Sequence, residues 1–352
     1  MRIGVLTSGG DAPGMNACLR SVVKGAAGAG DTVVGIRRGY EGLLAGDAAE
    51  LTLLDVDGVS RYGGTRLGSA RCKAMTTPEG QRRALDRLGE LALDALIVVG
   101  GNGSLTGAHV LAAQTPTRVI GVPASIDNDV GHSALAIGVD TAVNTIVDAA
   151  DRISDTATAH HRVFVIEVMG RHCGFLAMRG GVAADADAIL VPERKLSREQ
   201  VVERCLAVLR ESFRPGRLKE RVLIVKAEGV ELPTSELVAA LRRAADAELP
   251  GVDVREAVLG HIVRGGAPSA LDRLIAARLG LAAVDAARRG LTDVMVGWEP
   301  PGGAGQATRD PAVRTVPLAD VLLETDRMLS ADSDVARARL ALLEMADGLL
   351  AL

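Results

Sequence analysis

The chain has 352 residues, of which 48% are hydrophobic, 24% are charged and only 2% are aromatic, and its formal net charge at pH 7 is -4. This composition is typical of a folded globular protein and excludes intrinsic disorder. The acidic balance and the absence of a basic run offer a nucleic acid little to bind, so we expect no DNA or RNA partner. The length predicts two domains rather than one core.

The cysteine pattern and the apolar runs indicate the cellular compartment of the protein. The four cysteines, Cys18, Cys72, Cys173 and Cys205, are far apart in the sequence. None forms a C-x-x-C pair, so the sequence predicts free thiols rather than a zinc site or a disulfide framework. Residues 3–7 form a strand-like run with no signal stretch before it, and no apolar run reaches membrane length. We therefore expect a cytoplasmic protein without a membrane partner.

Short runs of Val, Ile and Leu alternate with longer amphipathic segments. The runs predicted as strands are 3–7, 32–36, 95–99, 119–122, 163–168, 188–191 and 222–225. The segments predicted as helices are 83–91, 139–154, 197–212, 234–247, 270–289 and 335–350, with Ser197 as an N-cap. Near-continuous apolar strands between helices indicate parallel sheets covered on both faces, so the predicted fold class is α/β. Residues 299–306 are turn-rich and predict a surface loop.

Two glycine-rich loops follow predicted strands, where ligands bind in α/β sheets. Residues 7–16, Thr-Ser-Gly-Gly-Asp-Ala-Pro-Gly-Met-Asn, could offer backbone N–H groups to a phosphate, or could be a tight turn alone. Residues 100–104, Gly-Gly-Asn-Gly-Ser, precede a helix from Leu105, and the Asn102 oxygen could hold a magnesium-bound water. With Gly107 they also form a degenerate dinucleotide fingerprint, but no acidic residue closes the next strand to hold a ribose.

Two further loops carry charged side chains after strands. Asp127 and Asp129 lie two residues apart in the loop 123–129, where one carboxylate could accept a hydroxyl proton and the other face a metal. An acidic turn with Asx hydrogen bonds is the alternative. The loop 167–174 presents Arg171, a side chain that can meet a phosphate with two hydrogen bonds.

Cationic side chains complete the pattern. Arg255, His261 and Arg264 lie within nine positions of one another before a Gly-Gly turn, and convergent donors of this kind suit a phosphomonoester. Arg71, which follows Gly-Ser-Ala at 68–70, is a further candidate, with a solvated surface arginine as the alternative.

Taken together, these motifs resemble the phosphofructokinase family over nearly the whole chain. The matching segments are 4–16, 67–71, 125–129, 167–171, 259–261 and 264–266. The resemblance implies two three-layer α/β/α lobes with mainly parallel sheets and an active site in the cleft between the lobes. It assigns residues 1–138 and about 263–315 to an ATP-binding lobe, and residues 139–262 and about 316–352 to a lobe that binds fructose 6-phosphate.

The resemblance also implies a reaction, the transfer of a phosphoryl group from Mg-ATP to the 1-hydroxyl of fructose 6-phosphate, which is the committed step of glycolysis. Asp127 is then the expected general base, and Asp129 supports it and the Mg²⁺ ion. Ser125, where the family usually has Thr, is expected to touch the transferred group. Arg171 is expected to stabilise the charge on that group, which is most of the catalysis in such reactions.

The expected binding residues follow by the same resemblance. Those for ATP are Gly10, Arg71, Cys72, Gly101, Asn102, Gly103 and Ser104, and those for the metal are Asn102 and Asp129. Those for fructose 6-phosphate are Ser125, Asp127, Arg162, Met169, Gly170, Arg171, Glu228, Arg255, His261 and Arg264. Arg162 and Arg255 match residues that reach into a neighbouring subunit's site, which implies a homotetramer.

Some positions depart from the family pattern. Asn102 stands where the ATP enzymes usually carry Asp, which leaves a weakly active or regulatory subunit as one alternative. A pyrophosphate-dependent enzyme is the other, but such members carry Asp at the position of Gly103 and Lys at that of Ala124. A carboxylate at position 103 would repel the α-phosphate of a nucleotide, so both residues favour ATP.

A last departure concerns regulation. The family's bacterial effector site is cationic, and this chain keeps Arg20, Lys24, Arg217 and Lys219 at matching positions. It has Leu53, Leu54 and Ser154, however, where that site has Arg, Tyr and Arg. We therefore expect a weak or absent response to the effectors of that site.

Overall fold

The structure, a computed structural model, describes residues 1–217 and 219–350 and divides into two compact units. The first unit comprises Met1–Thr141 and Arg264–Ser330, and the second comprises Ala142–Val263 and the residues from Ala331 onward. Leu218 and residues 351–352, which the sequence analysis assigned to the second lobe, lie outside the described residues.

The described residues form strands and helices that alternate along most of the chain. The strands are β1 Arg2–Ser8, β2 Thr32–Ile36, β3 Ala48–Leu51, β4 Ala95–Gly100, β5 Arg118–Pro123, β6 Arg162–Val168, β7 Ala188–Leu190, β8 Val222–Ala227, β9 Asp253–Val258, β10 Val294–Trp298, β11 Gln306–Ala307 and β12 Val313–Pro317. The helices are α1 Met15–Gly28, α2 Gly39–Ala45, α3 Pro78–Glu90, α4 Asn102–Ala112, α5 Val139–His160, α6 Phe175–Ala183, α7 Arg198–Ser212, α8 Thr234–Glu248, α9 Ala270–Arg288, α10 Leu318–Leu329 and α11 Asp334–Leu350.

The sheet of the first unit has eight strands in the order β11-β12-β10-β5-β4-β1-β2-β3. Its central strands are parallel, and every residue of β4 is buried because helices cover both faces of the sheet. The edge strands β3 and β11 pair antiparallel with β2 and β12, and β12 pairs antiparallel with β10. Ser8 pairs with Gly100, and Gly100 with Pro123, so the loops after β1, β4 and β5 begin side by side at one edge of the sheet.

The sheet of the second unit has four parallel strands in the order β7-β8-β6-β9. Val168 pairs with Ala227, and Glu167 pairs with Val258, so the carboxyl ends of β8, β6 and β9 are adjacent. Apolar side chains of β6, β8, α7 and α8 form the core beneath them. This arrangement places the loops after β6, β8 and β9 at a common edge.

The α/β fold class and the predicted strands are confirmed, with boundary shifts of at most two residues. The capping box at Ser197 is also present, with Gln200 as its second member. Helix α3 begins earlier than predicted, because Thr77 caps it and Pro78 opens it. Helix α4 begins at Asn102 rather than at Leu105, so the second glycine-rich loop is in fact the first turn of a helix.

Helix α10 was not predicted, and residues from about 316 were assigned to the second lobe. The structure instead includes residues up to Ser330 in the first unit. Helix α10 packs on α4 and β12, and Thr325 accepts a hydrogen bond from the backbone N–H of Gly131 at 2.9 Å. Among the helices of the described residues, none is long and apolar enough to cross a membrane.

Candidate active site

The loops after β1, β4 and β5 line a cavity of about 700 Å³ in the first unit. Eleven residues that the sequence analysis assigned to the site line it: Gly10, Arg71, Cys72, Gly101, Asn102, Gly103, Ser104, Ser125, Asp127, Asp129 and Arg264. The parallel register explains this convergence, because loops at the carboxyl ends of neighbouring parallel strands share one edge. The cavity is large enough for a small phosphorylated ligand.

Hydrogen bonds within the loop after β5 fix its two carboxylates. Ser125 Oγ accepts from the backbone N–H of Asp127 at 3.3 Å and donates to Asp129 Oδ1 at 3.0 Å. Asn128, with a φ of 50°, is 1% exposed, and its amide bonds the backbone of Ala134 and Ala136. Asn tolerates this left-handed conformation better than most residues. The loop therefore holds both carboxylates on a rigid frame.

Asn102 is a second partner of the Asp129 carboxylate. Its Nδ2 donates to Asp129 Oδ2 at 2.7 Å, whereas its Oδ1 is buried and has no hydrogen-bond partner among the described residues. An aspartate at position 102 could not donate in this way, and two carboxylates at this separation would repel each other. The asparagine therefore orients Asp129 and leaves one carbonyl oxygen available to a cation or a donor.

Gly103 lies in the first turn of α4 and faces open space. A Cβ built on Gly103 would have no heavy atom of the described residues within 4 Å, and Gly103 does not have a positive φ. Neither packing nor backbone conformation therefore requires a glycine here. The position leaves open space at the cavity.

Arg264 belongs to the first unit and lies against the loop after β1. Its Nη1 donates to the carbonyl of Asp11 at 3.2 Å, and a Cβ on Gly10 would come within 2.8 Å of the same nitrogen. The domain prediction placed the chain crossing at about residue 263, and the contacts put it between Val263 and Arg264. Arg264 thus shares the cavity with Asp127 and Asp129 rather than grouping with the second unit's residues.

The sequence analysis missed several lining residues, including Tyr40, Lys73 and Gln81. The buried Tyr40 hydroxyl donates to the carbonyl of Ser104 at 2.8 Å, and burial raises the pKa of this tyrosine. A Cβ on Gly107 would come within 3.0 Å of the Tyr40 ring. The glycine at position 107, where the Tyr40 ring leaves little room for a side chain, was the signal that could have indicated a close neighbour.

In the second unit, the loops after β6, β8 and β9 carry a separate set of predicted residues. Met169, Gly170 and Arg171 follow β6, Glu228 follows β8, and His261 follows β9. The backbone N–H of Glu228 donates to the carbonyl of Val168 at 2.9 Å, and that of Leu259 donates to Glu167 at 2.9 Å. Since β6 is flanked by β8 and β9, these residues share one edge of the sheet. Arg171, Glu228 and His261 are exposed there.

The backbone of the loop after β6 is tightly packed. Gly170 has a φ of 130°, and a Cβ on it would lie 2.5 Å from the carbonyl oxygen of Cys173. A Cβ on Gly229 would lie 2.1 Å from the carbonyl oxygen of Arg171. Both positions require glycine, because a side chain would force the loop that carries Arg171 to move.

Arg162 and Arg255 lie toward the opposite end of the same sheet. Arg162 opens β6, and both arginines bond Asp253 Oδ2 at 2.9 Å. Burial alone would raise the pKa of Asp253, but the bonds from Arg255 and Arg162 hold it below its usual range. Arg162 is six residues from Val168, about 20 Å along an extended strand. It is therefore remote from the Met169–Arg171 segment of its own chain.

All four cysteines are free thiols in the described structure, as predicted. Burial raises the pKa of Cys18 to about 12 and that of Cys205, despite nearby Arg204, to about 12. Cys72 lines the cavity of the first unit, and Cys173 is buried in the loop after β6.

Glycine-rich loops, a carboxylate pair and arginines at strand ends are the parts from which phosphoryl-transfer sites are built. Comparison with known proteins agrees with this class. Residues 2–287 match the family model described as phosphofructokinase, and the chain therefore belongs to the phosphofructokinase family.

Individual relatives and solved structures give the same result. ATP-dependent 6-phosphofructokinase 2 of Bacteroides thetaiotaomicron is 45% identical over 299 residues, which cover 84% of this chain and 88% of that protein. ATP-dependent 6-phosphofructokinase 1 of Thermus thermophilus is 46% identical over 297 residues, with coverage of 84% and 89%. The structure of Pichia pastoris phosphofructokinase in the T-state has a TM-score of 0.83 at 32% identity and covers 99% of this chain, which spans 40% of that longer one.

A pyrophosphate-dependent phosphofructokinase from Marinobacter aquaeolei has a TM-score of 0.77 at 22% identity, covering 97% of this chain and 91% of that one. At that identity the likeness shows the fold alone.

Proposed function

We propose that the protein is an ATP-dependent 6-phosphofructokinase, which transfers the γ-phosphoryl group of ATP to the 1-hydroxyl of fructose 6-phosphate. The observation that carries the proposal is the cavity of the first unit, in which Asp127 lies together with two glycine-rich loops. The relatives at 45% and 46% identity, both named ATP-dependent, support the same reaction.

Asp127 acts as the general base in this proposal. As the 1-hydroxyl oxygen attacks the γ-phosphorus, Asp127 accepts the hydroxyl proton and the bond from phosphorus to the bridging oxygen of ADP breaks. The bond from Ser125 Oγ to the Asp127 backbone and the buried amide of Asn128 hold the loop that carries the base. A fixed base avoids reorganisation at the moment of transfer.

The donor set beside Asp127 fits a magnesium ion. It consists of the Asp129 carboxylate and the buried, unbonded Oδ1 of Asn102, both oxygen ligands of the kind that Mg²⁺ prefers. The described residues contain no cluster of three or more His, Cys, Asp or Glu for a metal. Mg²⁺ in nucleotide sites commonly uses one or two protein oxygens, with phosphates and waters as the rest. When bound, it would neutralise phosphate charge.

ATP is bound in this proposal by the ends of β1 and β4. The backbone of Gly10, Gly101 and Ser104 faces the phosphates, and Arg71 offers a cation at the rim of the same cavity. The open space at Gly103 accommodates the nucleotide phosphates. Ala124 lines the same cavity and offers no cation where pyrophosphate-using members carry a lysine. Both features favour ATP as the donor.

Fructose 6-phosphate is bound in this proposal by Met169, Gly170, Glu228 and His261 of the second unit, with Arg264. Arg171 stabilises the charge of the group in transfer. We further propose that Arg162 and Arg255 serve the site of a neighbouring subunit in a homotetramer. The distance of about 20 Å along β6 between Arg162 and the loop of its own chain supports that assignment.

The direct test is a coupled assay with ATP, Mg²⁺ and fructose 6-phosphate, comparing wild type with D127N. Asp86, exposed on α3 away from the cavity, supplies the matched control D86N. We expect kcat to fall by about 10²–10⁴-fold in D127N and to stay unchanged in D86N. A D127N enzyme as active as wild type would contradict the role of Asp127.

We further propose a cytoplasmic location, no nucleic-acid partner and a weak or absent response to the bacterial effectors. Leu54 is 87% exposed, and Lys219 forms an ion pair with Asp187 at 2.5 Å, which lowers the positive charge available to an effector.

A further inference from the structure

The C-terminal helix α11 contacts the loop that follows β6. Arg339 places its guanidinium carbon 4.7 Å from the ring centre of Phe175, and its Nη1 donates to Cys173 Sγ at 3.7 Å. Cys173 is 7% exposed and Phe175 is 5% exposed, so both are buried anchors at the point where the loop enters α6. Helix α11 begins 47 residues beyond position 287, where the family match ends, so that match assigns it no role.

A second point on the same helix reaches the same loop indirectly. Asp347 bonds Arg204 at 2.6 Å and also pairs with Arg194. The residue before Arg194, Glu193, accepts a hydrogen bond from the backbone N–H of Gly174 at 2.7 Å. Asp347 lies eight residues after Arg339, about 12 Å along the helix. Two positions on α11 therefore brace one short segment, residues 173–175.

The opposite side of the loop is packed against the turn after β8. The backbone N–H of Gly229 donates to the carbonyl of Gly170 at 3.2 Å, and the Gly229 α-carbon allows the carbonyl of Arg171 to approach closely. The side chains of Arg171 and His172 are exposed and do not bury the loop. Its backbone is held between the β8 turn and the residues that α11 braces.

We propose that Arg339 is a positioning residue for fructose 6-phosphate, which acts by fixing the loop that carries Met169, Gly170 and Arg171. This inference rests on the proposed function. The charge and the planar guanidinium do this together, since a cation over an aromatic face and a donor to sulfur restrain both Phe175 and Cys173. In this proposal, helix α11 acts on the sugar-phosphate site through the loop that follows β6.

The chain supplies a matched control. Arg179 also lies over the Phe175 ring, at 5.4 Å, but it is an exposed residue of α6 and comes from the helix that the loop enters. R339M removes the charge and keeps the aliphatic stem, R339K restores a cation over the ring, and R179M removes the other cation. Each variant is compared with wild type for its two KM values, its kcat and its melting temperature.

We expect R339M to raise the KM for fructose 6-phosphate about 5-fold or more, because small displacements of positioning groups are costly. The KM for ATP should stay within about twofold, since the proposed ATP residues belong to the first unit. R339K restores the cation but not the planar guanidinium and should recover part of the loss, and R179M should match wild type. A lower melting temperature with an unchanged KM for fructose 6-phosphate would overturn the inference, as would equal effects of R339M and R179M.

Amide hydrogen exchange provides a readout that needs no substrate. Exchange in residues 168–176 should be faster by about 10-fold in R339M than in wild type or R179M, because a loop that loses an anchor opens more often. Unchanged exchange there would contradict the anchoring step. A wild type that turns over no fructose 6-phosphate would contradict the proposed function instead, and the exchange comparison would still decide whether Arg339 holds the loop.

Discussion

Glycines occur at both proposed substrate sites, but for different physical reasons. A side chain at Gly103 of the first unit would meet no described heavy atom within 4 Å. At Gly170 and Gly229 of the second unit, a side chain would collide with the carbonyls of Cys173 and Arg171. Neither packing nor the described backbone requires the first glycine, which leaves room for the nucleotide of the proposed function, whereas the other two are required by the fold of a loop that presents an arginine.

Substitutions at the two kinds of glycine should therefore affect different properties, ligand binding in the first unit and the stability of the fold in the second. A change at Gly103 should alter nucleotide use without lowering the free energy of unfolding, whereas a change at Gly170 should lower that free energy first. The second site depends on the placement of one exposed arginine, so removing that arginine should cost rate without costing stability.

Removal of Arg171 should have the largest effect. In R171A we expect kcat to fall by about 10³-fold, because the variant loses a charge that offsets the transferring phosphoryl group. Its melting temperature should not change, since the side chain is exposed. Steady-state kinetics with a thermal melt checks both, with R179A as the control. A loss of less than tenfold would contradict the catalytic role of Arg171.

A carboxylate at Gly103 should have the next largest effect. In G103D we expect kcat/KM for ATP to fall by about 10²-fold, because the new charge repels the nucleotide phosphates. The control is G89D. A Cβ built on Gly89 would likewise have no heavy atom of the described residues within 4 Å, but Gly89 lies on α3 outside the cavity. Full activity of G103D with ATP would show that no phosphate lies near this position.

A methyl group at Gly170 tests the other half of the comparison. We expect G170A to lower the free energy of unfolding by about 1–3 kcal/mol, because Ala is strained at a φ of 130°. G103A should leave stability unchanged or raise it by up to about 1 kcal/mol, since Ala is the better helix former. Urea unfolding of the two variants measures the difference. Equal stabilities would remove the distinction between the two kinds of glycine.

The smallest effect is expected at the amino end of the first unit's sheet, far from its cavity. The side chain of Asp31 is 5% exposed, and it bonds the N-terminal ammonium at 2.6 Å and Arg288 at 2.5 Å. Burial alone would raise the pKa of Asp31, but these two partners lower it below its usual range. A lowered carboxyl pKa stabilises the fold above the ordinary value and loses that contribution as the pH falls through the lowered one.

D31N should therefore be less stable than wild type by about 1 kcal/mol at pH 7, and the difference should shrink as the pH falls below about 4. Unfolding curves between pH 7 and pH 3 test this, with kcat expected to stay unchanged. A stability difference between wild type and D31N that grows as the pH falls would contradict the lowered pKa of Asp31.

Sequence reasoning recovered seven strands from their continuous apolar runs, but it missed β10, which is mostly buried and pairs parallel with β5. It also missed β9, in which the adjacent Arg255 and Glu256 interrupt the apolar residues at the edge of a sheet. It also missed the short strands β3, β11 and β12, whose antiparallel pairing at a sheet edge leaves no long apolar run. Edge strands carry a weaker hydrophobic signal, and their pairing depends on neighbours that are distant in the chain.

Most of the candidate cavity could be predicted, because its residues lie in short loops directly after apolar strands. The hydrogen bond from Asn102 to Asp129 could not be, since it joins residues 27 positions apart and needs the register of β4 and β5. The approach of Arg264 to Asp11 spans 253 positions and was likewise hidden. The support of Cys173 by Arg339 depends on where α11 packs, which no local pattern reveals.

The most direct test of the central claim is the choice of phosphoryl donor. Purified wild type is assayed for the formation of fructose 1,6-bisphosphate with Mg²⁺ and fructose 6-phosphate, with ATP and with pyrophosphate in parallel. The open space at Gly103 and the alanine at position 124 predict turnover with ATP and at least about 10²-fold less with pyrophosphate. Turnover with pyrophosphate but not with ATP would contradict the assignment of the first unit's cavity to a nucleotide.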